Sequence, residues 1–413
     1  MTTVHGAGGG PGRHARTAYS ETLSTAPVYA PDEAPVAGWQ RATSRRGLRG
    51  VIVVGVMLVG FAVCALSLAS NFGAAFGVQV TLLSVLLALI PLAVVIPTFL
   101  WLDRFEAEPT SFLVGAFLWG ALVAALLAGK FNTSALLVFS ATTDPTSALE
   151  ATAIFVAPFV EEAVKGVFVL LIWRLMRTEF DGITDGMVYG GIVAAGFAFT
   201  ENITYLARAY LEEGSGVLTA TFVMRCLMSP FAHPMFTVLT GIGIGIAATS
   251  RKPLVRWGAP VIGYLCAVAA HALWNLSTLV AGGGLLAVYL VVDVPIFVGF
   301  IALIVWARRR EGHIIGQFLT PYAAAGWLSP GEVTMLSSMP KRREARVWAR
   351  TNGGRTGLAA MRSFQDAASE LALLRRRMYH SAVDNRALSQ ERLLLDAIRH
   401  RRVQFIGQPV AGT

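Results

Sequence analysis

The sequence predicts an all-α fold, a polytopic membrane protein with about eight transmembrane helices and a cytoplasmic helical C-terminal tail. Hydrophobic residues make up 54% of the 413 residues and charged residues only 14%, a balance that is unusual for soluble domains. The apolar residues also occur in runs of about 20, long enough for a helix to cross a hydrocarbon layer of roughly 30 Å. These two observations together exclude an ordinary soluble enzyme.

The chain begins with a polar tail. Residues 1–47 are rich in Gly, Pro, Thr and Ala, and such a composition buries too little apolar surface to offset the cost of ordering. The sequence therefore predicts that this cytoplasmic tail is disordered. We expect no cleavable signal peptide, because the first apolar run begins about 50 residues into the chain.

Eight apolar runs define the predicted transmembrane domain, residues 48–310. The predicted spans are 50–69, 78–101, 111–129, 151–174, 186–206, 220–247, 258–280 and 285–306. Between the third and fourth spans, residues 130–150 form the longest predicted external loop. In the sixth span, Gly241 and Gly245 have the GxxxG spacing that favours close helix packing.

Basic residues predict the orientation. One side carries clusters such as the Arg run at 308–310, whereas the other carries only Lys130 and Arg208, with Arg225 close to the outer end of the sixth span. Short connections rich in Lys and Arg stay in the cytoplasm, so both termini are predicted on the cytoplasmic side of the cell membrane. The net charge of +9 then reflects topology, and we expect the lipid bilayer as a partner but no nucleic acid.

The region 311–413 is predicted to be a cytoplasmic helical tail. Apolar residues recur at helical spacing among Arg and Glu, for example Met361, Phe364, Leu371 and Leu374. One interpretation is that the tail docks on the membrane domain or a partner. The alternative is a solvated pair of helices.

Ionisable residues in consecutive predicted spans indicate a functional site. The fourth span carries Glu161, Glu162 and Lys165, although an Asp, Lys or Arg at membrane depth costs about 2.5 to 3.5 kcal/mol. Lys165 lies one turn from Glu161 and can hold one carboxylate charged while the other faces a cavity. A structural ion pair is the competing interpretation.

The next three spans add a carboxylate and two imidazoles. Glu201 lies in the fifth span, His233 in the sixth, and His271 shares a helical face with Asn275 in the seventh. A lone buried His is usually a packing residue, but carboxylate and imidazole together are ligands of a hydrolytic metal such as Zn²⁺. A further Glu can then act as general base, and His or Asn can stabilise an oxyanion. The same groups polarising water without metal remain an alternative.

These ordered motifs resemble the PrsW family of intramembrane metalloproteases, which are relatives of the CAAX-type prenyl proteases. The resemblance runs from about residue 101 to residue 275. The motifs that carry it are Glu161-Glu162-x-x-Lys165, Phe197 with Glu201-Asn202, His233, and His271-x-x-x-Asn275. CAAX prenyl proteases have His at the position of Glu201, which argues against prenylated substrates.

The resemblance implies a hydrolase that performs intramembrane proteolysis on a single-pass membrane protein, typically site-1 cleavage of an anti-sigma factor. The catalytic residues that it implies are Glu161, Glu162, Glu201, His233, His271 and Asn275. Among them, the expected ligands of a divalent metal, Zn²⁺ by preference, are Glu161, Glu201, His233 and His271. At 1.5 Å per residue Glu161 lies roughly 15 Å below the outer membrane surface, which predicts cleavage near the external boundary.

Two other classes of function compete with a protease. A proton-coupled transporter also uses buried Glu and His, although the sequence shows no convincing internal repeat of the kind found in many transporters. A non-catalytic scaffold would recruit partners through its C-terminal tail. The scaffold predicts that a change at Glu201 has no effect, whereas the protease predicts loss of function.

Overall fold

The computed structural model of the protein describes residues 48–176, 180, 182–280, 285–380 and 385–406. Within these ranges every regular element is helical, which confirms the all-α class. The predicted disordered N-terminal tail lies outside the described residues.

The described residues divide into two compact units, with the boundary between Glu311 and Gly312. The first seven helices are α1 Leu48–Phe76, α2 Val78–Leu89, α3 Leu92–Leu102, α4 Thr110–Leu118, α5 Ala125–Ser140, α6 Pro145–Ala151 and α7 Ala157–Leu175. They are followed by α8 Ile183–Phe222, α9 Ala232–Thr249, α10 Pro253–Val280, α11 Leu285–Val288 and α12 Val294–Ala324. Short π-helical segments occur at Trp119–Ala124, Thr152–Val156, Val223–Met228 and Tyr289–Asp293.

Within the described residues, six stretches are long and apolar enough to cross a membrane. These stretches are Gly55–Phe76, Val78–Leu102, Thr110–Ser140, Ile183–Thr249, Pro253–Leu279 and Tyr289–Ala324. They confirm a polytopic membrane protein, and the number of crossings stays a prediction.

The stretch Ile183–Thr249 contains 67 residues. As one straight helix it would be about 100 Å long, far more than a hydrocarbon layer of roughly 30 Å. Gly214 interrupts it with a φ of 83°, a left-handed conformation that glycine adopts at little cost. The stretch therefore has room for both the fifth and the sixth predicted spans.

Helix α7 corresponds to the fourth predicted span but is absent from those six stretches. The reason is its charge, because Glu161, Glu162 and Lys165 all lie within one and a half turns. The helix nevertheless packs against α8, α9 and α10, and these three charged residues are buried. This arrangement is typical of a helix whose polar face lines a site inside a bundle.

The predicted external loop at 130–150 is wrong for most of its length. Helix α5 continues to Ser140, and α6 begins at Pro145. The Asp144 side chain caps α6 by accepting hydrogen bonds from the backbone N–H groups of Thr146 and Ser147, and Pro at the first helical position favours this start. As a result, Asn132 lies in a helix rather than in a loop.

Glycines bring α8, α9 and α10 into backbone contact. A Cβ atom added at Gly241 would lie 1.9 Å from the carbonyl oxygen of Gly186 in α8, and Gly245 approaches the start of α8 in the same way. On the other face of α9, a Cβ atom at Gly243 would lie 2.3 Å from the carbonyl oxygen of Ala259 in α10. The predicted GxxxG packing is confirmed, and it fixes α9 between its neighbours.

Buried carboxyl groups lie in the turn between α3 and α4. The Glu108 backbone N–H donates to Asp103 Oδ2 at 2.8 Å, and the Tyr189 hydroxyl donates to Glu108 Oε2 at 2.7 Å. Burial raises the pKa of Asp103 to about 8, with a further contribution from the charge of Asp185. Burial likewise raises the pKa of Glu108 well above its ordinary value. Burial in this turn therefore favours the protonated form of both carboxyl groups.

The second unit contains α13 Pro330–Leu336, α14 Met339–His380 and α15 Asn385–Ile406. Helices α14 and α15 pack together through buried residues that include Phe364, Leu371, Leu394 and Ile398. The apolar periodicity of the sequence is thus confirmed as a packed helical face. Its cytoplasmic location stays a prediction.

Candidate active site

Four helices of the first unit bring their ionisable residues to one cluster. The contributing residues are Glu161, Glu162 and Lys165 of α7, Glu201 of α8, His233 of α9 and His271 of α10. Glu201 alone among them is partly exposed, with 20% of its side chain accessible, and the others are buried. The convergence that the sequence predicted is therefore present in the fold.

Three of these residues form a candidate metal site. Glu161, His233 and His271 each offer one ligand atom, and the three atoms lie within 4.8 Å of one another. His271 Nε2 is 3.9 Å from Glu161 Oε2, and that oxygen is buried with no hydrogen-bond partner among the described residues. A buried carboxylate oxygen without a donor is costly, and a cation between it and the imidazoles would satisfy it. One carboxylate and two imidazoles fit Zn²⁺ or a similar divalent ion.

The other oxygen of Glu161 is held by a residue from α5. Asn132 Nδ2 donates to Glu161 Oε1 at 3.1 Å. This bond leaves Oε2 as the atom that faces the imidazoles. Sequence reasoning missed Asn132, because it placed residues 130–150 in a loop.

Glu162 is a fully bonded carboxylate next to the candidate metal site. Its Oε1 accepts from Lys165 Nζ at 2.5 Å and from His271 Nδ1 at 3.0 Å. Its Oε2 accepts from the Thr237 hydroxyl at 2.7 Å. Because Nδ1 of His271 is bound to a carboxylate, its Nε2 carries the lone pair that faces Glu161, which is how carboxylates commonly orient metal-binding histidines.

Glu201 contacts the imidazole of His233, as Glu162 contacts that of His271. Its Oε2 lies 2.6 Å from His233 Nε2 and also accepts from the Arg225 guanidinium. The sequence counted Glu201 among the ligands, but it lies outside the group of three whose ligand atoms converge. The structure therefore places Glu201 beside His233 at the partly exposed rim of the cluster.

Asn275 shares a helix with His271 but takes part in a different contact. Its Nδ2 donates to the backbone carbonyl of Ala153 at 2.8 Å, in the π-helical segment Thr152–Val156 that precedes α7. This hydrogen bond ties α10 to the start of the helix that bears Glu161. The contact gives Asn275 a position between helices rather than a place among the converging ligand atoms.

Aromatic rings surround the charged cluster. Lys165 Nζ lies 4.4 Å from the centroid of the Phe197 ring, and the Phe236 ring stacks on His271 at a centroid distance of 4.9 Å. Such rings exclude water from the cluster and interact favourably with the ammonium group. Electrostatic interactions inside the cluster are therefore stronger than they would be in water.

The sequence also missed the roles of Thr237 and Arg225. Thr237 follows His233 by one helical turn and so shares its face, a signal that was available. Arg225 was interpreted as a basic residue at the outer end of a span, whereas it pairs with Glu201. A cation close to predicted membrane depth was the signal that indicated a buried partner.

Comparison with known proteins shows which family this region is similar to. Residues 108–300 match the family model described as PrsW family intramembrane metalloprotease. Protease PrsW of Geobacillus kaustophilus is 33% identical over 159 residues, which cover 38% of this chain and 64% of the relative. Protease PrsW of Bacillus subtilis is 38% identical over 100 residues, covering 24% of this chain and 42% of the relative.

Protease PrsW of Clostridioides difficile is 30% identical over 165 residues, covering 38% of this chain and 62% of the relative. The chain thus spans less than two thirds of the length of each of these three relatives. No solved structure matches it. The matched region, residues 108–300, contains all three converging ligands and is similar to the PrsW family of intramembrane metalloproteases.

Proposed function

We propose that the protein is an intramembrane metalloprotease that hydrolyses a peptide bond in a single-pass membrane protein. The observation that carries the proposal is the group formed by Glu161, His233 and His271, which is buried among helices of a membrane protein. Although Lys165 Nζ lies 4.0 Å from Glu161 Oε2, that buried oxygen accepts no hydrogen bond from the described residues. A ligand site for a cation accounts for that oxygen.

Glu161, His233 and His271 would hold the metal, and we propose Zn²⁺ because one carboxylate and two imidazoles are among its preferred ligands. Bound there, it would supply a Lewis acid that activates water and polarises the scissile carbonyl. Three side chains converge among the described residues, which would leave a position for that water.

The remaining carboxylates have separate proposed roles. Glu162 orients His271, since both of its oxygens are engaged by hydrogen-bond donors. Glu201 is the partly exposed carboxylate of the cluster, so it is best placed to accept the proton of the attacking water and to pass it to the leaving amine. Lys165 balances the negative charge of Glu161 and Glu162.

The proposed substrate crosses the membrane once and is of the anti-sigma factor type, and the proposed location is the cell membrane with both termini in the cytoplasm. The resemblance of the motifs supports the substrate class. The excess of Lys and Arg in the connections predicted to be cytoplasmic supports the orientation. The depth of Glu161 supports cleavage near the external end of the substrate helix.

A cleavage assay tests this proposal. The purified full-length chain in lipid nanodiscs is mixed with labelled single-pass anti-sigma factors, and products are identified by mass spectrometry. Glu161→Gln and Glu162→Gln should each abolish cleavage, because they remove a ligand and the group that orients another. Glu150→Gln is the matched control, since Glu150 is exposed. Cleavage that persists in both active-site variants would overturn the assignment.

Metal analysis provides the second test. The wild-type protein should bind about one divalent metal ion per chain. Chelation should stop cleavage until metal is returned. A wild-type chain that binds no metal yet moves protons across a vesicle membrane would support the transporter instead.

A further inference from the structure

The Arg225 side chain occupies an unusual position at the rim of the cluster. It projects from the π-helical segment Val223–Met228 toward α8. Its Nε donates to Asn202 Oδ1 at 3.0 Å, a terminal nitrogen donates to Glu201 Oε2, and its guanidinium carbon lies 3.8 Å from the centroid of the Tyr205 ring. Three contacts thus fix the orientation of one guanidinium.

These contacts exploit properties particular to arginine. The planar guanidinium can donate in two directions while it stacks on an aromatic face, which a lysine ammonium cannot do. A charge-assisted bond between guanidinium and carboxylate is also stronger than a neutral hydrogen bond. Because only 27% of the Arg225 side chain is exposed, the pair with Glu201 is poorly screened by water.

Glu201 itself contacts one of the three candidate ligand residues. Its Oε2 is 2.6 Å from a nitrogen of His233, and His233 is one of the three ligands. A carboxylate beside a ligand imidazole could, if it were free to turn, serve as a fourth ligand for a divalent ion. Four protein ligands close a zinc site, and closed sites are structural rather than catalytic.

We infer that Arg225 is a positioning residue that withholds Glu201 from the metal and so keeps the fourth coordination position open to water. This inference rests on the proposed metalloprotease function. Arg225 engages the same oxygen of Glu201 that His233 contacts, so the carboxylate stays beside the imidazole as an acceptor. Loss of Arg225 would let the carboxylate turn to the metal.

The test measures Zn²⁺ affinity by competition with a chelator on the full-length chain in nanodiscs. The variants form a cycle of wild type, Arg225→Gln, Glu201→Gln and the double variant. Arg225→Gln should tighten Zn²⁺ binding by about tenfold or more, the range in which ligand-shell changes commonly act. In the Glu201→Gln background the same change should tighten binding much less, because no carboxylate remains to be released.

The cycle is needed because removal of a nearby positive charge attracts a cation whatever Glu201 does. That purely electrostatic effect is the same in both backgrounds, whereas the release of a ligand requires Glu201. Equal tightening in the two backgrounds, or no tightening in either, would overturn the inference. Arg208→Gln is the matched control, since Arg208 is an exposed arginine of the same region of α8 and should leave the affinity unchanged.

Two further measurements address misfolding of the main variant and provide a readout other than Zn²⁺ affinity. Should Arg225→Gln fail to fold, Arg225→Lys shows the same direction with a smaller change, because an ammonium cannot hold Asn202 and Glu201 together. The Co²⁺-loaded Arg225→Gln chain should show the altered visible absorption of a changed ligand set, and an unchanged spectrum contradicts the inference.

The Glu161→Gln variant separates the two possible failures. If Zn²⁺ binding depends on Glu161 but shows no coupling between Arg225 and Glu201, only the proposed role of Arg225 is rejected, and the metal site stands. A wild-type chain that binds no Zn²⁺ rejects both the metalloprotease and the inference.

Discussion

Lys165 provides a stringent test of how the buried cluster is held together. Its side chain is fully buried, its Nζ lies 2.5 Å from Glu162 Oε1, and Glu161 Oε2 is 4.0 Å away. Lys165→Met would leave two carboxylates near each other without their cation. Removing one partner of a buried ion pair costs about 3 to 5 kcal/mol, so we expect a decrease of that size in the free energy of unfolding.

The assay is reversible unfolding of the detergent-solubilised chain, followed by intrinsic fluorescence. Combining Lys165→Met with Glu162→Gln should recover most of the lost stability, because the two changes remove both charges of the tightest pair. Lys130→Met is the matched control, since Lys130 is exposed and should change stability by less than about 0.5 kcal/mol. A Lys165→Met variant as stable as the wild type would refute the view that this cluster depends on an internal cation.

Three other predictions concern packing, pH and orientation. Gly241→Ala should lower the melting temperature of the chain because its Cβ would meet a backbone carbonyl, whereas Gly258→Ala, in open space, should not. Burial raises the pKa of Asp103 from 3.8 to about 8, so the folded state keeps a proton that the unfolded chain releases. The free energy of unfolding should therefore fall as the pH rises between these values, and Asp103→Asn should reduce that slope in thermal scans at several pH values. Thr237→Val removes a donor to Glu162 and should lower kcat about tenfold, since a hydrogen bond to a charged group is worth about 1.5 to 3 kcal/mol. Thr240→Val is its control, because the Thr240 hydroxyl has no partner among the described residues, and equal rates for the two Thr variants would contradict the assigned orientation.

Much of the membrane fold is evident in the sequence because the bilayer imposes simple lengths on apolar runs. The charged residues of α7 were equally informative, since Glu161 and Lys165 at membrane depth required partners. The predicted start of the external loop at Lys130 was wrong, because an isolated charge and an Asn in an otherwise apolar stretch resemble the start of a loop. The structure shows the reason for that Asn, which lies in a helix and donates to Glu161.

Long-range geometry explains the rest of the differences at the site. Helical spacing placed Asn275 on the face of His271, but the π-helical turn before α7 presents the Ala153 carbonyl to it. Likewise, the distance from Glu201 to Arg225 depends on the turn at Gly214, where φ is 83°. Neither backbone irregularity has a reliable signature in the residues alone, so the partners of Asn275 and Arg225 were not predictable.

The glycine contacts of α9 determine which part of the site has freedom to move. Where main chain touches main chain, no side chain can rotate to create space. The helix that carries His233, α9, has such contacts with α8 on one side and with α10 on the other. Entry of the proposed peptide substrate would then have to be accommodated by elements whose contacts are made through side chains, such as α5 with Asn132. The helix that carries His233 would then stay fixed, and elements such as α5 would move to admit the substrate.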